Sequence, residues 1–83
     1  MYSIFLSDKA KKELKKLPPN VQRIILNEIY SIKHDPFRHL VKLQGSNLWR
    51  LRIMDYRAVV DVILTENKII VLTIDKRSRV YDR

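Results

Sequence analysis

Three arginines within eight residues, Arg50, Arg52 and Arg57, and a basic C-terminal stretch, "DKRSRVYDR", with Lys76, Arg77 and Tyr81, are the positions of this chain whose residue types and spacing carry chemistry. Guanidinium groups stay charged at neutral pH and bind oxyanions with paired donors. Cleavage of RNA by attack of a ribose 2′-hydroxyl on the adjacent phosphate builds extra negative charge on the phosphorane, which such donors stabilise. Tyr81, four residues past Arg77, adds a ring that can stack on an unpaired base or a hydroxyl that can bond near the scissile phosphate. At the level of residues alone, two other readings stay open. The arginines can be a solvated strand face that discourages edge pairing, and Tyr81 can be a packing anchor.

Other chemistries find little support. The chain has no cysteine, which excludes a disulfide framework and a zinc ribbon and fits a reducing compartment. His34 and His39 flank Pro36 without a carboxylate or thiol constellation, so neither a metal site nor a histidine base is expected there. A phosphate-binding glycine loop and a nucleophile elbow are also missing, and no cofactor or small-molecule ligand is expected. Seventeen Lys plus Arg against nine Asp plus Glu leave a formal charge of +8, a field that attracts polyanions such as nucleic acid, the ribosome or an acidic partner. Lys9, Lys11, Lys12, Lys15 and Lys16 add to that field, each able to grip a phosphate or simply to solvate a helix. No apolar run is long enough for a signal-peptide core or a membrane span, so a cytoplasmic location away from membranes is expected.

The elements that must position the basic residues follow from periodicity. With 83 residues, 46% of them hydrophobic, one domain spanning 1–83 is expected. "YSIFL" reads as a first strand, with Tyr2 and Phe5 as core candidates. Ser7 caps a helix that runs to about Leu17, with Ala10, Leu14 and Leu17 on one face. Pro18 and Pro19 end it, and a second helix carries the stripe Val21, Ile24, Ile25, Ile29 and Ile32 until Pro36. From Trp49 to Ile53 the pattern alternates strictly, placing Trp49, Leu51 and Ile53 on one face and Arg50 and Arg52 on the other, roughly 7 Å apart along the strand. "YRAVVDVILT" and "KIIVLTI" complete the order β-α-α-β-β-β, the last two joined by a turn at Glu66-Asn67. The fold class is α+β, with a helical hairpin packed on one face of a small antiparallel sheet and the other face polar and open.

The segments "AKKELKKLPPNVQRIILNEI", "VKLQG", "LWRLRIMDYRAVVDV" and "DKRSRVYDR" resemble the RelE/ParE toxin superfamily along essentially the full chain, and the last looks more like the RelE branch. That resemblance implies the toxin of a toxin-antitoxin pair, a ribosome-dependent endoribonuclease that cuts messenger RNA in the ribosomal A site. It also implies a RelB-like antitoxin as partner, one able to wrap the basic surface. By motif position the family's active-site residues correspond to Arg50, Arg52, Arg57, Arg77 and Tyr81. Family members commonly carry Gly-Asp before "YR", where this chain has Met54-Asp55, so a different turn geometry is expected. Some members carry lysine at the position of Arg50, and arginine practically cannot accept a proton, which leaves Lys76 as the local candidate for proton transfer. The alternatives are a ParE-like inhibitor of DNA gyrase, which cuts nothing itself, and an inactive relative kept as a binding module.

Overall fold

A computed structural model describes residues 1–76. Strand β1 (Ser3–Leu6) leads into helices α1 (Asp8–Lys15) and α2 (Pro19–Ser31), a single 3-10 turn at Pro36–Arg38, and strands β2 (Val41–Lys42), β3 (Trp49–Ile53), β4 (Tyr56–Ile63) and β5 (Lys68–Lys76). The Ser7 hydroxyl accepts from the Ala10 N–H and so caps α1. Pro19 opens α2, where a missing N–H costs nothing.

The sheet order is β1-β5-β4-β3-β2. The α+β architecture and the helical hairpin are as expected, with two differences in the sheet. Val41–Lys42 adds a fifth, two-residue edge strand, and β1 runs parallel to β5, so the sheet is mixed where an antiparallel one is expected. The helical hairpin is the reason: it carries the chain over one face of the sheet and back, so that β5 can return alongside β1 in the same direction.

Ala10, Leu14, Ile25, Ile29 and Ile32 from the helices close on Leu51, Ile53, Ala58, Val60, Ile69, Val71 and Ile74 from the strands, all buried. Tyr2 packs at the margin of this core, and Trp49 does so with Phe37 edge-on to its indole at 5.0 Å. Phe5 departs from expectation. In β1 it is Ile4 and Leu6 that pack against the core, while Phe5 is 48% exposed with the Lys68 ammonium 5.5 Å from its ring centre. Ile24 is likewise 40% exposed, leaving Ile25, Ile29 and Ile32 to anchor α2.

Two turns in the second half explain short motifs. In "KLQG" the Ser46 N–H donates to the Leu43 carbonyl, and Gly45, at φ +75°, occupies the third position of that turn, where a positive φ is required. The β3–β4 connection is Met54-Asp55, and Met54 sits at φ +53°, a left-handed conformation that a Cβ disfavours by about 1–2 kcal/mol. Met54 is exposed and buries no side chain that would compensate. Met54→Gly is therefore expected to stabilise the fold by about 1 kcal/mol, raising the thermal midpoint by about 4–8 °C in a calorimetric scan.

Candidate functional site

Register decides which basic side chains share a surface. Arg50 lies opposite Val41 and Val59, and Arg52 lies directly opposite Arg57, which in turn lies opposite Asp75. Leu51, Ala58 and Ile74, the neighbours between these rows, are buried beneath the helices, so the pleat turns the row Arg52–Arg57–Asp75 to the face that no helix covers. Arg50 stands two residues from Arg52 on that same face.

The row breaks a local rule. Like charges on directly opposed strand positions, with Cβ atoms about 5 Å apart, disfavour the pairing by about 0.2–1 kcal/mol. Such a cost marks a place where the fold gives way to binding chemistry. Arg50 and Arg57 are half-buried rather than extended into water, and the Arg50 Nε–H is shielded from solvent with no acceptor among the described residues.

The uncovered face is not polar throughout. Val59, Ile63 and Ile70 share it with Phe5 and Val41, and Asp61 and Lys68 lie among them. The apolar residues reach as far as Arg50, whose cross-strand neighbours are Val41 and Val59, and Arg52 and Arg57 hold the end at the β3–β4 turn.

An irregularity in β5 sets the faces at this end. Val59 pairs with Thr73 and Val60 with Val71, which leaves Leu72 as an extra residue on β5. Beyond it the alternation is inverted: Ile74 points to the core and Asp75 to the arginine face. Two side chains fasten this segment. Ser7 donates its hydroxyl to the Leu72 carbonyl at 2.8 Å. The Glu13 carboxylate accepts from the Ile74 N–H at 2.8 Å and from the Thr73 hydroxyl at 2.8 and 3.1 Å, occupying the free edge of β5 just past the end of β1. Glu13→Ala removes charge-assisted bonds and leaves a strand N–H without its acceptor. It is expected to cost about 1.5–3 kcal/mol, measured as a lowered urea midpoint with an unchanged slope.

Of the residues expected to form the site, Arg50, Arg52 and Arg57 come together. Lys76 does not join them. It lies opposite Tyr56, which packs against the core, whereas Asp75 lies opposite Arg57; both border a cavity of about 280 Å³ at the strand end with Glu13, Lys16, Leu17 and Ile74. The bulge is the reason, since one extra residue in β5 exchanges the faces of Asp75 and Lys76. Arg77 and Tyr81 lie outside the described residues. Asp75 is the member that sequence reasoning missed; only the cross-strand register, counted through the bulge, reveals it beside Arg57. His34 and His39 are exposed, and no cluster of metal-ligating side chains occurs among the described residues. No helix among the described residues is long and apolar enough to cross a membrane.

A family model, the ParE toxin of type II toxin-antitoxin systems, matches residues 4–81. The chain belongs to this toxin family. The toxin's fold is similar to that in the RelBE2 toxin-antitoxin complex of Mycobacterium tuberculosis, with a TM-score of 0.86 at 20% identity over 92% of this chain and 98% of that one. It is also similar to the archaeal RelE-RelB complex of Pyrococcus horikoshii OT3, at 0.80 and 26% over 95% and 98% of the two chains. The chromosomal ParDE system of Pseudomonas aeruginosa contains another similar chain, at 0.76 and 15% over 92% and 96%. No curated protein sequence matches the toxin. The likenesses establish a RelE-like fold for it, shared by proteins of both the RelE and the ParE name.

Proposed function

We propose that this toxin is a ribosome-dependent endoribonuclease that cleaves messenger RNA in the ribosomal A site by 2′-hydroxyl attack on the adjacent phosphate, and so inhibits translation. The observation that carries the reading is the set Arg50, Arg52 and Arg57 on the sheet face left uncovered by the helices. Three guanidiniums on one face supply donors for the charge that develops on the phosphorane, while the ribosome supplies alignment of the message. Arg77 and Tyr81 belong to the proposed site by their place in the family motif. The excess of 8 positive charges favours contact with ribosomal and messenger RNA.

An acidic RelB-like antitoxin is the proposed partner. The M. tuberculosis and P. horikoshii relatives are seen in complex with antitoxins, and an acidic chain is complementary to this toxin's charge. A second reading, inhibition of DNA gyrase without RNA chemistry, is favoured by the family model, which bears the ParE name. One experiment separates the two. The toxin is added to programmed ribosomes and message ends are mapped by primer extension, with a parallel assay for gyrase-dependent DNA breaks. Breaks at A-site codons support the nuclease; DNA breaks with intact message support the gyrase reading and remove the nuclease. Neither product would leave a toxin-fold binding module.

A further inference from the structure

The ribonuclease reading above leaves one role unfilled. The attacking 2′-hydroxyl must lose a proton, and arginine does not accept one. Lys76 lies opposite Tyr56, whose side chain packs against the core, and so alternates away from the arginine row. His39 precedes β2, but its backbone, at φ −112° and ψ −16°, turns out of the pleat before the arginine rows begin. Asp75 is different, because it is fixed in register directly opposite Arg57, is exposed, and lies on the uncovered face.

We propose that Asp75 is the proton acceptor of this site and acts as a pair with Arg57. A ribose 2′-hydroxyl and the phosphate it attacks are adjacent on the RNA chain. Directly opposed strand positions, with Cβ atoms about 5 Å apart, offer an acceptor and a fork of donors side by side at matching spacing. The Asp75 carboxylate takes the proton of the 2′-hydroxyl. The 2′-oxygen forms a bond to phosphorus, the bond from phosphorus to the 5′-oxygen breaks, and water protonates the departing 5′-oxygen. The products are a 2′,3′-cyclic phosphate and a 5′-hydroxyl. Arg57 and Arg52 bind the non-bridging oxygens as their charge grows.

The surroundings fit this assignment. Arg57 and, beyond it, Arg52 face Asp75 from β4 and β3, while Glu13 of α1, Lys16 just past its end and Lys76 border with Asp75 the cavity at the strand end. The bulge at Leu72, held by Ser7 and Glu13, is what turns Asp75 rather than Lys76 toward the arginines. A regular β5 would present the lysine there instead. The irregularity thus selects a carboxylate as the base.

The test compares single-turnover cleavage on programmed ribosomes by the wild type, Asp75→Asn, Asp61→Asn and His39→Gln. Asp75→Asn is expected to lose about 10²–10³ in rate while binding ribosomes programmed with a 2′-deoxy message as the wild type does. Asp61→Asn makes the same change in net charge on the same face and is expected within about threefold of the wild type. A message with sulfur in place of the departing 5′-oxygen leaves without a proton, so on that message the Asp75→Asn defect is expected to persist. Wild-type rates for Asp75→Asn, a defect that vanishes on the sulfur message, or loss with His39→Gln in its place would each overturn the assignment. If the wild type itself leaves the message whole, the ribonuclease reading falls and Asp75 with it, a result unlike any of the others.

Discussion

Arg57→Ala is expected to reduce message cleavage on the ribosome by about 10²–10³-fold, the usual consequence of removing one donor aimed at developing charge. Arg57 is the middle member of the row Arg52–Arg57–Asp75, so its loss removes the donor nearest to both neighbours. The fold should tolerate the change. Relieving the opposed like charges of Arg52 and Arg57 offsets the packing lost with the half-buried side chain, and the thermal stability is expected to stay within about 1 kcal/mol of the wild type. Arg57→Lys keeps the charge but not the fork, and should recover only part of the rate. Adding Arg52→Ala to Arg57→Ala is expected to cost less than the product of the two single losses, because both act on the same phosphate oxygens. Single-turnover primer extension at saturating ribosome, beside a calorimetric scan of each variant, checks all three. A rate for Arg57→Ala near that of the wild type would detach the row from the chemistry.

The sequence is legible where one period governs one element. The stripe through Ile25, Ile29 and Ile32 and the alternation from Trp49 to Ile53 each describe a single helix or strand against a single core, and both appear in the structure as read. The arginines are legible for the same reason, since Arg50 and Arg52 oppose the buried Leu51 and Ile53 within one short strand. Legibility fails where pairing partners far apart in sequence decide the outcome. Strict alternation from Ile69 and Val71 would place Thr73 and Asp75 toward the helices, yet Leu72 is an added residue and Ile74 takes the core position. The bulge depends on Ser7 and Glu13, some sixty residues earlier, which hold the displaced backbone. Phe5 fails in the same way. Its apolar character suggests the core, but β1 pairs with β5 in a register whose pleat sends Phe5 outward beside Lys68.

Ile29→Ala is expected to have the largest effect on stability, by a route that leaves the arginines untouched. Ile29 is fully buried at the centre of the α2 stripe, between Ile25 and Ile32, where the helix meets the sheet. Removing its three outer carbons costs their transfer energy plus a cavity that Ile25 and Ile32, themselves locked in place, cannot collapse to fill, about 2–5 kcal/mol in all. At about 0.05–0.15 kcal/mol per residue, a domain of this size holds only about 4–12 kcal/mol, so the variant is expected to lose a large share of its stability and about 10–30 °C of its thermal midpoint. Ile24→Ala, at a position 40% exposed on the next turn of the same helix, should cost less than about 1 kcal/mol. The two kinds of variant then separate stability from chemistry. Cleavage by Ile29→Ala, corrected for the folded fraction at low temperature, should match the wild type, because the arginine row is set by β3, β4 and β5 pairing and not by α2. Arg57→Ala shows the reverse, a stable fold with little activity. If Ile29→Ala lost activity per folded molecule as steeply as Arg57→Ala, the helix layer would be shaping the arginine face through the sheet, and the separation of core from site drawn from the register would be wrong.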